Sequence, residues 1–188
     1  MDHRPVERLF DDGLDEVISG VGPGGELYPI RKLDAHTSSI KHLAVSIFLF
    51  RDGKLLLQQR ASGKYHAPLL WANSACSHPL FGETPDACAH RITLRELGLA
   101  PTLNKFTETV YESPVGGLFE HEHVHCYCGT LEPTMPLDVF DRHQVDATRL
   151  MSPDDIAAEI ATHPDIYAPW FRIYVERGLI AQAAATAR

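Results

Sequence analysis

The run HLAVSIFLF at residues 42–50 reads as a buried strand. Asp52-Gly53 follows as a hairpin turn, and KLLLQQR, ending at Arg60, is the returning strand. Earlier, Val17-Ile18 leads into SGVGPGG, which predicts a short strand and a turn within an acidic, glycine-dotted segment. Residues 105–112 and 118–131 read as two more strands separated by SPVGG. Helical signals lie between and after them. Thr84 is a good N-cap, Pro85 suits a first helical turn, and Gly98 ends the helix after RELGL begins. Ser152-Pro153-Asp154-Asp155 opens an amphipathic helix, and Pro169 starts another that stops at Gly178. Residues 61–81 read as irregular, rich in Pro, Gly, Ser and Asn, yet they carry Lys64, Trp71, Cys76 and His78. Long loops inside compact domains are commonly functional. With no repeat, low-complexity segment or linker, the pattern predicts one α/β domain over residues 1–188. An N-terminal strand and extension take residues 1–28, a core 29–150, and C-terminal helices 151–188.

Composition narrows the classes. The chain's 188 residues suit one domain with a full core, which needs no disulfide staples. No run of about 18 apolar residues occurs, and no basic region precedes an apolar stretch at the N-terminus, so a cytoplasmic protein is expected. A net charge of −8 argues against nucleic acid or an anionic membrane as partner. An anionic substrate would need local cations or metals to overcome that field. Cysteines at 76, 88, 126 and 128 form no CxxC pair and read as separate thiols.

Eleven histidines direct attention to metal sites, and GGLFEHEHVHCYCGT is the most informative segment. Strand side chains alternate, so Glu120 and Glu122 share a face with Val124, Cys126 and Cys128. His121, His123, His125 and Tyr127 take the other face, read as solvated and outside the metal site. Two carboxylates on an apolar face are expensive unless cations neutralise them, so a metal is expected at Glu120 and Glu122. The competing reading is an edge strand with both carboxylates in water. His36, His42 and His78 are the better imidazole candidates; three imidazoles and two carboxylates suit Mn²⁺, Zn²⁺ or Mg²⁺ in octahedral binding. Taken singly, each is equally a surface or capping histidine. Cys126 and Cys128 read as core packing. The helix GETPDACAHRITLREL sets Glu96 beside an apolar stripe containing Cys88 and Ile92, where an acid can hold a divalent cation against a phosphate. Lys32, Arg60 and Lys64 are the cations available to an anionic substrate, Arg60 with bidentate capacity.

Together these residues resemble the type 1 isopentenyl-diphosphate isomerases, a branch of the Nudix superfamily. The resemblance spans residues 16–179 and rests on five segments in order: KLDAHTSSIKHLAVS, LLLQQRASGKYHAPLLWANSACSHP, GETPDACAHRITLRELGL, EHEHVH and APWFRIY. It implies a Nudix fold, a mixed β-sheet sandwiched between helices. It also implies a divalent ion (Mn²⁺, Zn²⁺ or Mg²⁺) held by His36, His42, His78, Glu120 and Glu122. Mg²⁺ would bind at Glu96 with the substrate diphosphate, and no flavin is needed. Lys32, Arg60 and Lys64 match diphosphate-contacting positions, Cys76 and Glu122 the catalytic pair, Tyr111 a neighbour of Glu122, and Trp170 a position over the hydrocarbon. The implied partner is a small prenyl diphosphate; nothing in the sequence sets an oligomeric state. The Nudix box GX5EX7REUXEEXGU, aligned on Gly98, keeps Glu83, Arg91 and Glu96 but has Ser77, Ile92 and Arg95 at a glycine and two glutamates. Those losses remove much of the carboxylate cluster of Nudix hydrolysis and favour isomerase over hydrolase. A diphosphate hydrolase is the alternative, beside a relative acting on a larger prenyl diphosphate and a non-catalytic metal-binding module.

Overall fold

The computed structural model describes residues 13–187; residues 1–12 of the expected N-terminal extension lie outside them. The chain runs β1 (Val17–Val21), β2 (Leu27–Arg31), α1 (Lys32–Thr37), β3 (His42–Arg51), β4 (Lys54–Arg60), β5 (Trp71–Ala72) and β6 (Ala75–Ser77). Next come α2 (Pro85–Leu97), β7 (Asn104–Val115), β8 (Leu118–Thr130), β9 (Val145–Met151), α3 (Pro153–Thr162), α4 (Pro169–Glu176) and α5 (Leu179–Thr186). Among the described residues no helix is long and apolar enough to cross a membrane.

β3 is the axis of the sheet. Residues 42–50 are all buried, as a strand covered on both faces must be. It pairs antiparallel with β4 and β6 and parallel with β8, in a register that sets His42 beside Glu122 and Phe50 beside Thr130. β7 and β8 form a long hairpin in which Tyr111 faces Glu122, and β9 lines β4. Alternation then builds two core layers. Ala44, Phe48 and Phe50 join Val124, Cys126 and Cys128 against Phe171, Tyr174 and Ile180 of α4 and α5. Val45, Ile47 and Leu49 join Tyr127 against Cys88, Ala89, Ile92 and Leu97 of α2. Each large apolar side chain so buried contributes about 1.5–3 kcal/mol. The result is the mixed sheet between helices that the resemblance implied.

Local chemistry fixes the helix ends. The Thr84 hydroxyl accepts from the Ala87 amide, Pro85 occupies the first turn, and Gly98 closes α2 at φ +66°. Residues 61–81 are more ordered than their composition implied. Ser74 donates to the Leu56 carbonyl (2.6 Å) and accepts from the Leu49 amide (2.8 Å), while Asn73 donates to the carbonyls of Ile47 and Ala75. These bonds stitch β5 and β6 into the sheet and satisfy backbone groups that a buried loop would strand. The outer face of β8 also departs from the expected solvated strip: Tyr127 is buried because α2 covers that end.

Candidate active site

Parallel pairing of β3 with β8 brings His42, at the start of one strand, level with Glu122 on the other. β6 runs antiparallel to β3, and its end delivers His78 to the same place. α1 adds His36. The ligating atoms of His36, His42, His78, Glu120 and Glu122 all lie within 4.8 Å of one another, and all five residues are buried. The three imidazole rings form a near-equilateral triangle with centroids 4.7, 4.9 and 5.0 Å apart.

The second nitrogen of each ring decides what the first can do. His36 Nδ1 lies 2.8 Å from the Lys32 carbonyl and His42 Nδ1 2.7 Å from the Ile40 carbonyl. Each carbonyl requires an N–H at Nδ1, which leaves Nε2 a lone pair aimed into the cluster. Both Nε2 atoms are buried without a hydrogen-bond partner, at 3.5 Å from Glu120 and 3.8 Å from Glu122 respectively. His78 Nε2 is 2.9 Å from Glu122. Burial, reinforced by His36, brings His42 down to about 4; burial and His42 take His78 well below the usual imidazole range. Neutral imidazoles and paired carboxylates with lone pairs converging on one point are a donor set that fits a divalent cation.

The carboxylates diverge. Burial, with the neighbouring Glu120 charge, pushes Glu122 well up. Burial also works against ionised Glu120, but the adjacent imidazoles of His36 and His66, 3.5 and 2.6 Å away, outweigh it and hold Glu120 well below the ordinary range. Glu122 takes its other oxygen to Tyr111, whose hydroxyl donates at 2.7 Å. Tyr111 itself rises through burial and the Glu122 charge.

A pocket opens above this cluster. Lys32, Arg60, Lys64, Cys76, Tyr111, Glu96 and Trp170 all line it, together with Glu120, Glu122 and His78. Glu96 stands apart from the five-residue group. It accepts from Gln58 Nε2 at 3.0 Å and is raised by burial against the pull of Lys64. Arg60 stacks over Trp170 at 5.2 Å and donates through Nε and Nη2 to the carbonyls of Ala67 and His66. Lys64 reaches Gln144, and Lys32 lies 3.8 Å from Glu16. Burial pushes the Cys76 thiol up to about 12, with Arg60 opposing. Glu83 and Arg91 of the degenerate box pair bidentately with each other at 2.7 Å, away from the pocket lining.

Sequence reasoning missed His66, Arg95 and Tyr174. His66 Nε2 lies 2.6 Å from Glu120, and its ring packs 4.1 Å from Tyr65. The flanking Ala67 and Leu69 hold φ of +47° and +60°, strained for non-glycine residues, in a loop fixed by the Arg60 bonds. No periodic signal marks such a position; the only clue is a polar side chain two residues after Lys64. Arg95 is a cation on the pocket wall at a place where the Nudix box has a glutamate. Tyr174, 3.0 Å from Ser46, packs edge-on to Tyr111.

Comparison with known proteins bears on the fold and the family. The NUDIX domain model matches residues 40–172. An isopentenyl-diphosphate Delta-isomerase of Cereibacter sphaeroides is 40% identical over 153 residues, covering 80% of this chain and 86% of that protein. The isomerases of Jannaschia sp. and Rhodobacter capsulatus are 40% and 38% identical, each covering 81% of this chain and 88% of its own length. Among solved structures, DR0079 from Deinococcus radiodurans superposes with a TM-score of 0.69 at 18% identity, over 86% of this chain and 98% of that one. The Nudix hydrolase RenU from M. smegmatis gives 0.55 at 22% identity, over 93% and 97%. The structural likenesses speak to the fold alone. Through the domain match and the isomerase relatives, this chain belongs to the Nudix superfamily, in its branch of type 1 isopentenyl-diphosphate isomerases.

Proposed function

We propose that this chain interconverts isopentenyl diphosphate and dimethylallyl diphosphate by proton addition and proton loss through a tertiary carbocation. One observation carries the reading: Glu122, buried and paired with the Tyr111 hydroxyl at 2.7 Å, shares a pocket with the Cys76 thiol and Trp170. Moving an unactivated double bond requires a proton given to the terminal alkene carbon and another taken from the carbon on the far side of the branch point. Cys76 and Glu122 form the pair that gives and takes, and they exchange protonation states over a turnover. Tyr111 orients Glu122 and passes protons to it. The π face of Trp170 stabilises the cation.

Lys32, Arg60 and Lys64, joined by Arg95, set four cations on the pocket wall of a chain of net charge −8, groups that suit a diphosphate. His36, His42, His78, Glu120 and Glu122 would hold Mn²⁺, Zn²⁺ or Mg²⁺, and Glu96 would hold Mg²⁺ with the substrate diphosphate. A bound divalent ion supplies positive charge that fixes Glu122 and sets its acidity. Arg95 argues against the hydrolase alternative, since it puts a cation where box chemistry calls for a carboxylate. A cytoplasmic setting fits the four unpaired thiols.

The test is deuterium uptake from D₂O during turnover of isopentenyl diphosphate with Mg²⁺, for the full chain and for Cys76→Ser. Wild type is expected to yield deuterated dimethylallyl diphosphate, and Cys76→Ser to lose about 10²-fold or more of the rate. Phosphate release without isomer would establish the hydrolase; turnover confined to longer prenyl diphosphates would establish the second alternative. Wild-type turnover by Cys76→Ser would remove the thiol from the mechanism.

A further inference from the structure

The face of β8 turned away from Glu120 and Glu122 carries a second set of donors. His123 and His125 stand two residues apart on one strand, so both rings emerge on the same side. Glu108 of β7 lies directly across from His125 in the hairpin register. Its two oxygens divide between the rings: one is 2.6 Å from His123 Nε2, the other 3.6 Å from His125 Nδ1. The rings stack 5.3 Å apart at 28°, and the three ligating atoms all lie within 4.8 Å of one another. Asp86, from the first turn of α2, adds a further negative charge felt by His125.

An ion-pair network alone accounts for part of this. Lys105 and His123 both touch Glu108, and these bonds hold its carboxyl down at about 2, so it is ionised. The network holds His125 only loosely: its Nδ1 lies 3.6 Å from Glu108, beyond hydrogen-bond distance, while its ring stacks on that of His123. Two imidazoles over one carboxylate, with solvent on the open side, is the three-ligand arrangement that zinc-class ions take with water completing the shell. One carboxylate is too little oxygen for Ca²⁺ or Mg²⁺, which sets the preference. Lys105 is half-exposed and can swing aside.

We propose that Glu108, His123 and His125 form a second metal site, for a borderline divalent ion such as Zn²⁺, Ni²⁺ or Cu²⁺, on the outer face of the β7–β8 hairpin. The site is distinct from the inner cluster and does not depend on the isomerase reading. An ion there links the two strands on the side opposite Tyr111 and Glu122, a pair three register positions from Glu108 and His125.

Equilibrium dialysis of the full chain against Ni²⁺, with bound metal counted by elemental analysis, tests it. His123→Ala and Glu108→Gln are each expected to hold one ion fewer than wild type. The Cu²⁺-loaded protein read by electron paramagnetic resonance gives an independent measure: a signal with coupling to two imidazole nitrogens, reduced to one in His125→Ala. Equal metal content in wild type and both variants, or a copper spectrum unchanged by His125→Ala, would overturn the second site.

Discussion

At the scale of single residues, the pocket is a place where burial decides protonation. Cys76 is the sharpest case, because desolvation outweighs the nearby Arg60 and keeps the thiol protonated to about 12. A low-pKa nucleophilic cysteine would be built the opposite way, against a helix N-terminus or an unopposed cation. A thiol kept protonated suits the proton-carrying role proposed for Cys76, and it should react sluggishly with electrophiles. Iodoacetamide labelling of Cys76, followed by peptide mapping, is expected to quicken about tenfold per pH unit from pH 7 to 10 without levelling off. An ordinary cysteine, with a pKa near 8.5, would reach its plateau within that range. A plateau below pH 10 would mean that Arg60 governs the thiol, and a role in nucleophilic chemistry would follow. The same burial explains why Tyr111 and Glu122 are both raised yet share a short bond: each is costly as an anion, so a shared proton stabilises the pair.

At the scale of elements, the long pieces were legible in sequence and the short ones were not. β3, β4, α2 and the β7–β8 hairpin announce themselves through apolar runs, a Thr84 cap, Gly98 and alternation about Val124. α1 has six residues, no side-chain cap and three buried positions, so tertiary packing rather than local propensity holds it. β5 spans two residues and exists through Gln58, Gln59 and the Ser74 bonds. β9 has a weak pattern, one buried residue in seven, and is placed by pairing with β4. The site divides in the same way. The paired glutamates follow from alternation, whereas the convergence of His36, His42 and His78 needs β3–β8 and β3–β6 pairing that no local spacing reveals. His66 sits in a strained loop with no periodic signature. Gly98 offers an element-scale test, because α2 carries both Glu96 and the wall residues Ile92 and Arg95. At φ +66° a Cβ would meet the Val139 carbonyl oxygen at 2.9 Å, so Gly98→Ala combines left-handed strain with a backbone clash. A loss of about 1–2 kcal/mol is expected in urea unfolding, with the midpoint lowered and the slope unchanged. A stability within about 0.5 kcal/mol of wild type would show that this end of α2 yields more readily than its packing implies.

At the scale of the whole molecule, the inner cluster ties the adjacent α1 and β3 to the end of β6 and to β8, which lie far along the chain. Folding must therefore bury two carboxylates and three imidazoles together, at a desolvation cost of several kcal/mol per uncompensated charge. Glu120 is contacted by His66 at 2.6 Å, and Glu122 by His78 at 2.9 Å and the Tyr111 hydroxyl at 2.7 Å, yet the Nε2 atoms of His36 and His42 keep lone pairs with no hydrogen-bond partner. A cation bound by these groups would stabilise the native chain alone, since the unfolded chain scatters them. Linkage sets the size: at free metal about 100 times the dissociation constant, the native state gains about 2.7 kcal/mol. For a domain of this length each kcal/mol moves the melting temperature by about 2–4 °C, so a rise of about 5–10 °C is expected between EDTA and saturating Mn²⁺ or Zn²⁺. Scanning calorimetry on the full chain gives the measurement. Because an outer site would add its own smaller shift, the comparison uses His42→Ala, whose ring lies wholly within the inner cluster. That variant should lose most of the metal-dependent rise while keeping whatever the outer hairpin contributes. A melting temperature indifferent to metal in wild type, or a full rise retained in His42→Ala, would mean that the buried histidines and glutamates satisfy one another and hold no ion.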